Sequence, residues 1–339
     1  MIKIIIAIAM FLFLILIHEF GHFIVAKLSG IRVNEFAIGM GPAFYSKQKG
    51  ETLYSLRMIP MGGYCAMEGE EEESSDPRSY DRARPISKFL TILAGPMMNL
   101  ILASVIFFVV GLNTGVTTTS IGNFTDNSPA KQAGMEIGDE VVEVNHTKIE
   151  KFSEISAIVN AYYKDSDIKE KIDVKVYRKS SGKEMTFSIA PQKENGNVFF
   201  GVESQLRKAG VLEAIKLGLV ETIKNIIMIF VILGRLFTGK IALSALSGPV
   251  GVVKELGNQA QNGLMSLLYF LGYISVNLGV FNLLPIPALD GSKLVCAIYE
   301  MLTGKTVNKK IEEKVTIGGF VVLIGLIILI SIKDIISLF

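Results

Sequence analysis

Residues 4 to 28 are apolar almost without interruption. A run of that length constrains a chain strongly, because about 20 apolar residues rising 1.5 Å each span the hydrocarbon core of a bilayer as a helix. Residues 89 to 112 and 316 to 332 meet the same test, and residues 265 to 286 join them although Asn277 and Asn282 fall inside the run. Polar side chains at that depth turn inward, toward function. Residues 213 to 237 stand apart, because Lys216, Glu221, Lys224 and Arg235 leave an unbroken apolar core only from 226 to 234, too short to cross. The opening run meets His18, Glu19 and His22 and then resumes at Phe23, with no small-residue cleavage site, so it reads as a retained helix and not a signal peptide.

Charge sets the topology. Lys and Arg accumulate on the cytoplasmic side of membrane proteins. Residues 27 to 88 carry nine of them and residues 287 to 315 carry five. Four spans put both loops in the cytoplasm and leave residues 113 to 264 outside. A fifth span at 213 to 237 would reverse one basic loop, so that stretch, within an interfacial segment of residues 211 to 263, is expected to be amphipathic or partly inserted. A net charge of +2 with 19% charged residues gives no basic face for nucleic acid.

Two segments between the spans read as folded. Residues 115 to 203 form an α+β module, with strands at 116–124, 140–145, 172–177 and 184–189 and a helix at 152–161. Its stretch SPAKQAGMEIGDEVVEVN, residues 128 to 145, resembles the PDZ signature, which implies that a peptide or C-terminus binds by strand addition. His146 stands in the following turn, where such domains often carry glycine. Residues 31 to 67 form a cytoplasmic, membrane-associated β-loop with strands at 33–38, 43–47, 52–59 and 64–67 and turns at Lys49-Gly50 and Gly62-Gly63. The acidic run 68 to 76 is its solvated tail, and Cys65 and Cys296 are ordinary thiols without metal-ligand spacing.

Two of the three histidines, His18 and His22, lie four residues apart in the first span with Glu19 beside the first. Helical spacing places both imidazoles on one face, able to share a zinc ion, with Glu19 next to the water. Catalytic zinc takes three protein ligands, so another is needed. His146 belongs to the external module. Asp290, in NLLPIPALDG, lies beyond Pro285 and Pro287 at the cytoplasmic end of the third span. About 21 Å of helix from residue 4 to residue 17 puts His18 roughly two thirds through the bilayer, at the same depth.

HEFGH, the β-loop ending PMGGY, LAGPMMN at residues 93 to 99, LSGPVG at 246 to 251 and SVNLGVFNLLPIPALDG at 275 to 291 together resemble the site-2 protease family of intramembrane zinc metalloproteases, in its bacterial branch with one PDZ domain. The resemblance covers nearly the whole chain. It implies a four-span polytopic protein with residues 1–112 and 264–339 as the membrane part. It further implies one Zn2+ on His18, His22 and Asp290, with Glu19 as general base. The substrates would be single-span membrane proteins, such as anti-sigma factors or signal-peptide remnants, cut in regulated intramembrane proteolysis. Asn277, Asn282, Pro285, Gly62 and Gly63 are expected to contact the substrate. Two alternatives stay open: a membrane-tethered PDZ scaffold, and another HExxH membrane protease whose third ligand is a glutamate.

Overall fold

The computed structural model describes residues 2–70, 72, 74–163, 170–194, 197–242 and 247–336, so Leu246 of the LSGPVG motif lies outside the described residues. It divides into two units, Met1–Val110 with Leu212–Phe339, and Gly111–Val211. The chain begins with α1 (Ile2–Leu28), β1 (Val33–Lys49), β2 (Thr52–Met67) and α2 (Pro85–Thr114). Next come β3 (Val116–Phe124), α3 (Pro129–Gln132), β4 (Glu140–Val144), β5 (Thr147–Lys148), α4 (Phe152–Tyr162), β6 (Ile172–Arg178) and β7 (Lys183–Ile189). After β8 (Gln192–Glu194), β9 (Asn197–Phe199) and β10 (Val202–Arg207), the chain closes with α5 (Val211–Phe237), α6 (Pro249–Gln261), α7 (Leu264–Leu283), α8 (Asp290–Thr303) and α9 (Lys309–Ile336).

In the first unit α1, α2, α5, α7 and α9 are all long and apolar enough to cross a membrane. Four match the expected spans. The fifth, α5, corrects the estimate from uninterrupted apolar length: it is one continuous helix of 27 residues. Two of its charges are partnered, Glu221 accepting from Lys224 at 3.2 Å and from the Tyr269 hydroxyl at 2.8 Å. Pairing of this kind removes much of the cost of holding a carboxylate near lipid.

Close contacts fix the direction of each helix. Leu14 clusters with Ile106 and Val110, whereas a Cβ on Gly21 would stand 2.4 Å from the Ala94 carbonyl, so α1 runs against α2. Gly272 abuts Phe107, the Ser275 hydroxyl donates to the Asn99 carbonyl and Gly279 meets the Pro96 carbonyl, which sets α7 against α2 as well. The same holds for α5, whose Gly218 touches Phe108 and Ser104 while Ile226 and Ile229 pack with Leu100 and Ala103. Small residues at such crossings let backbones approach where no hydrophobic effect drives association. Helix α9 is fastened at two places, Gly319 against Pro287 and Asp334, whose carboxylate accepts from the Gly248 and Gly251 amides at 2.8 Å each.

The β-loop is a single bent ribbon. Phe36 faces Cys65 on one side and Tyr54 on the other, and Tyr45 faces Leu56, so the order across it is 63–67, 33–38, 53–56, 43–49. The expected four strands are all present, joined through bulges into β1 and β2. Glu35 ties the ribbon crosswise, accepting from Ser55, Arg57 and Tyr64. Burial alone would raise that carboxyl, but these hydrogen bonds outweigh it and hold it below its ordinary value.

The second unit has a sheet of order β10-β3-β4-β6-β7, with β5 beside β4. Ile121, Val141, Val144, Val174 and Val176 form its core with Ile155 and Val159 of α4. Asp139 is buried and takes a two-pronged ion pair from Arg178. Asn145 and His146, with φ of 48° and 61°, make the turn between β4 and β5, and the His146 ring is exposed.

Candidate metal centre

Helix geometry does the first half of the work: four residues apart on α1, His18 and His22 present their Nε2 atoms 3.2 Å from each other. The other half comes from α8. The prolines at 285 and 287 end α7 and turn the chain, Ala288 adopts a left-handed φ of 73°, and Asp290 opens the next helix. Its Oδ2 lies 2.9 Å from His18 Nε2 and 3.5 Å from His22 Nε2. Among the described residues these three form the only grouping of His, Cys, Asp or Glu placed to share a metal ion.

Each ligand is held from behind. His22 Nδ1 sits 2.8 Å from the Thr91 carbonyl, which makes it the protonated nitrogen and leaves Nε2 a free lone pair. His18 Nδ1 faces the Asn99 amide at 3.3 Å. A Cβ on Gly95 would come within 2.2 Å of His22 Nε2, so only glycine admits the imidazole. Asp290 is fixed through its helix: Gly291 packs on the Leu284 carbonyl, Lys293 pairs with Glu70 at 2.6 Å, and Lys88 grips both Glu300 oxygens at 2.9 Å.

His18 and Asp290 line a cavity of about 240 Å³ together with Ile15, Glu19, Asn99, Leu278, Asn282, Ala288 and Leu289. Glu19 and Asn282 therefore join the ligands there. Gly63 stands on the other flank of Glu19, an added Cβ lying 3.8 Å from Glu19 Cγ, and Gly62 has a φ of 82° beside Met40. Pro285 shapes the turn before Asp290. Asn277 is not brought to the cavity, since its amide donates to the Tyr273 carbonyl one turn back at 2.8 Å. Thr91, Gly95, Asn99 and Ala288 carry no role in the sequence reading. The rule that singles out Asn277 and Asn282, a polar residue inside an apolar span, applies equally to Asn99; nothing local marks a carbonyl such as that of Thr91.

A family model described as peptidase family M50 matches residues 6–326. The chain belongs to that family. A protein provisionally named as a zinc metalloprotease in Clostridium acetobutylicum is 37% identical over 337 residues, covering 98% of this chain and 97% of that one. One with the same kind of name in Clostridium perfringens is 39% identical over 339 residues, with 98% of each covered. The zinc metalloprotease RasP of Geobacillus kaustophilus is 30% identical over 407 residues, with 95% of each covered.

The donor set of this M50 peptidase suits a zinc ion. Tetrahedral ligands at 2.0–2.1 Å from a centre stand about 3.3 Å apart, and the three edges here measure 2.9, 3.2 and 3.5 Å. Asp290 Oδ2 is buried without a hydrogen-bond partner in line, which is costly unless a cation takes its lone pair.

Proposed function

We propose that this M50 zinc metalloprotease cleaves the transmembrane segments of single-span membrane proteins, close to the cytoplasmic face of the bilayer. The observation that carries the reading is the convergence of His18, His22 and Asp290 between membrane-length helices, with Glu19 on the cavity that His18 and Asp290 line. Zinc, when bound by His18, His22 and Asp290, supplies a Lewis acid that polarises a peptide carbonyl and acidifies water. Glu19 takes the proton from the attacking water on its carboxylate and then delivers it to the leaving amide nitrogen. Asn282 offers its side-chain amide to the substrate backbone in the same cavity. The 63–67 segment, edge of the β-ribbon and next to Glu19, suits pairing with an unwound substrate strand.

Helix direction supports four complete crossings. Helices α1, α5 and α7 all run against α2, so the chain must return between α5 and α7. A return before α6 is supported by Gly248, whose amide donates to Asp334 near the C-terminal end of α9, and by Val252, which joins the cluster around Leu14. Helices α5 and α6 then form a re-entrant pair, and both basic loops stay in the cytoplasm. Cysteine probes from outside the cell are expected to label residues placed between 113 and 210 and to miss one at Lys309. Labelling at 309 would overturn this topology.

The Gly111–Val211 unit is read as a PDZ domain outside the membrane. A cavity of about 230 Å³ between α4 and the 198–202 segment, lined by Phe152, Ile155, Val159, Phe200 and Val202, suits an extended peptide or a C-terminus. Anti-sigma factors and signal-peptide remnants are the substrate classes that the family resemblance suggests, in a bacterial plasma membrane.

The test is reconstitution. Purified protein in liposomes with a labelled single-span substrate is expected to cut it within the span, to stop when chelated and to resume on zinc addition. Zinc-replete protein that leaves a panel of such substrates intact would remove the proposal.

A further inference from the structure

Asn99 is wholly buried in α2 and lines the cavity with His18, Glu19 and Asp290. Its Nδ2 lies 3.3 Å from His18 Nδ1, and its Oδ1 is buried with no hydrogen-bond partner. The arrangement has a consequence for His18. With Nδ2 donating, His18 carries its proton on Nε2, which leaves no lone pair on the atom that lies 2.9 Å from Asp290 Oδ2 and 3.2 Å from His22 Nε2. His22 shows the opposite arrangement, its Nδ1 held by a carbonyl acceptor and its Nε2 free.

A half-turn of the Asn99 amide exchanges its two ends without moving a carbon and gives His18 the same arrangement. Resting on the zinc-peptidase reading above, we propose that Asn99 is the positioning residue of the metal site. Its Oδ1 accepts from His18 Nδ1–H, selects the tautomer with a free Nε2 lone pair, and orients the ring toward the ion. The half-turn also gives the orphaned oxygen a partner. The backbone is already fixed for this: the Ser275 hydroxyl on α7 donates to the Asn99 carbonyl at 2.7 Å, so the side chain hangs from a clamped point. Acceptors behind zinc-bound histidines raise ligand basicity, and losing one typically weakens metal binding by about 10- to 100-fold.

An aspartate at 99 can accept but not donate, which separates the two orientations. Apparent zinc affinity is to be measured by chelator competition on the full chain in detergent for wild type, Asn99→Ala and Asn99→Asp, with unfolding transitions recorded without metal as a fold control. The expected result is one zinc per wild-type chain, binding about 10- to 100-fold weaker in Asn99→Ala, and recovery to within about threefold of wild type, or tighter, in Asn99→Asp. Asn99→Asp as weak as Asn99→Ala, or Asn99→Ala as tight as wild type, overturns the inference while leaving the peptidase reading intact. If Asn99→Ala does not fold, the comparison of Asn99→Asp with wild type decides alone, and a loss of more than tenfold counts against the proposal. A wild-type chain that binds no stoichiometric zinc overturns both.

Discussion

Asp290→Ala is expected to abolish stable zinc binding, lowering affinity by more than about 100-fold, beyond the loss typical of outer partners. The two imidazoles would stay where they are, because His22 is held by Thr91, His18 by Asn99, and both stand on α1. A metal would then find two neutral nitrogens and no anionic oxygen in its donor group, with only the neighbouring Glu19 to offset its charge. Metal analysis after dialysis against a mild chelator reads the outcome directly. Full occupancy in Asp290→Ala would take this residue out of the ligand set and favour a site with some other third ligand.

Glu19→Gln separates binding from chemistry. Glu19 lines the cavity yet is not part of the three-residue donor group, so the variant is expected to keep one zinc per chain. Glutamine has nearly the same shape but cannot accept a proton, and cleavage of the single-span substrate should fall by about 10²- to 10⁴-fold. Activity within tenfold of wild type, at full zinc occupancy, would sink the assignment of Glu19 as base. Measured together, the two variants give opposite signatures: one lacks metal, the other holds metal and is inert.

The parts of this molecule written in local sequence were legible in it. The four apolar runs carry their own helix signal, and the His18-Glu19-His22 spacing needs only helical geometry to place two imidazoles together. Asp290 was reachable because membrane depth acts as a ruler shared by distant segments. Three features were not legible. The span-length helix α5 is masked by charges whose partners, such as Tyr269, lie elsewhere in the chain. The amphipathic helices α6 and α8 are too short and too mixed to register as spans. The supports of the site, the Thr91 carbonyl, the space left by Gly95 and the grip of Lys88 on Glu300, exist only once α1, α2 and α8 have met. Asn277 shows the reverse case: a polar residue in an apolar run that satisfies itself on its own helix.

The metal centre draws its donors from opposite ends of the chain, His18 and His22 on the first helix and Asp290 on the eighth. About 270 residues must be synthesised between them, which at 5–20 residues per second takes roughly 15 to 55 s. Throughout that interval the nascent chain carries His18, His22 and Glu19 without Asp290, so the proposed zinc site can be completed only late in synthesis.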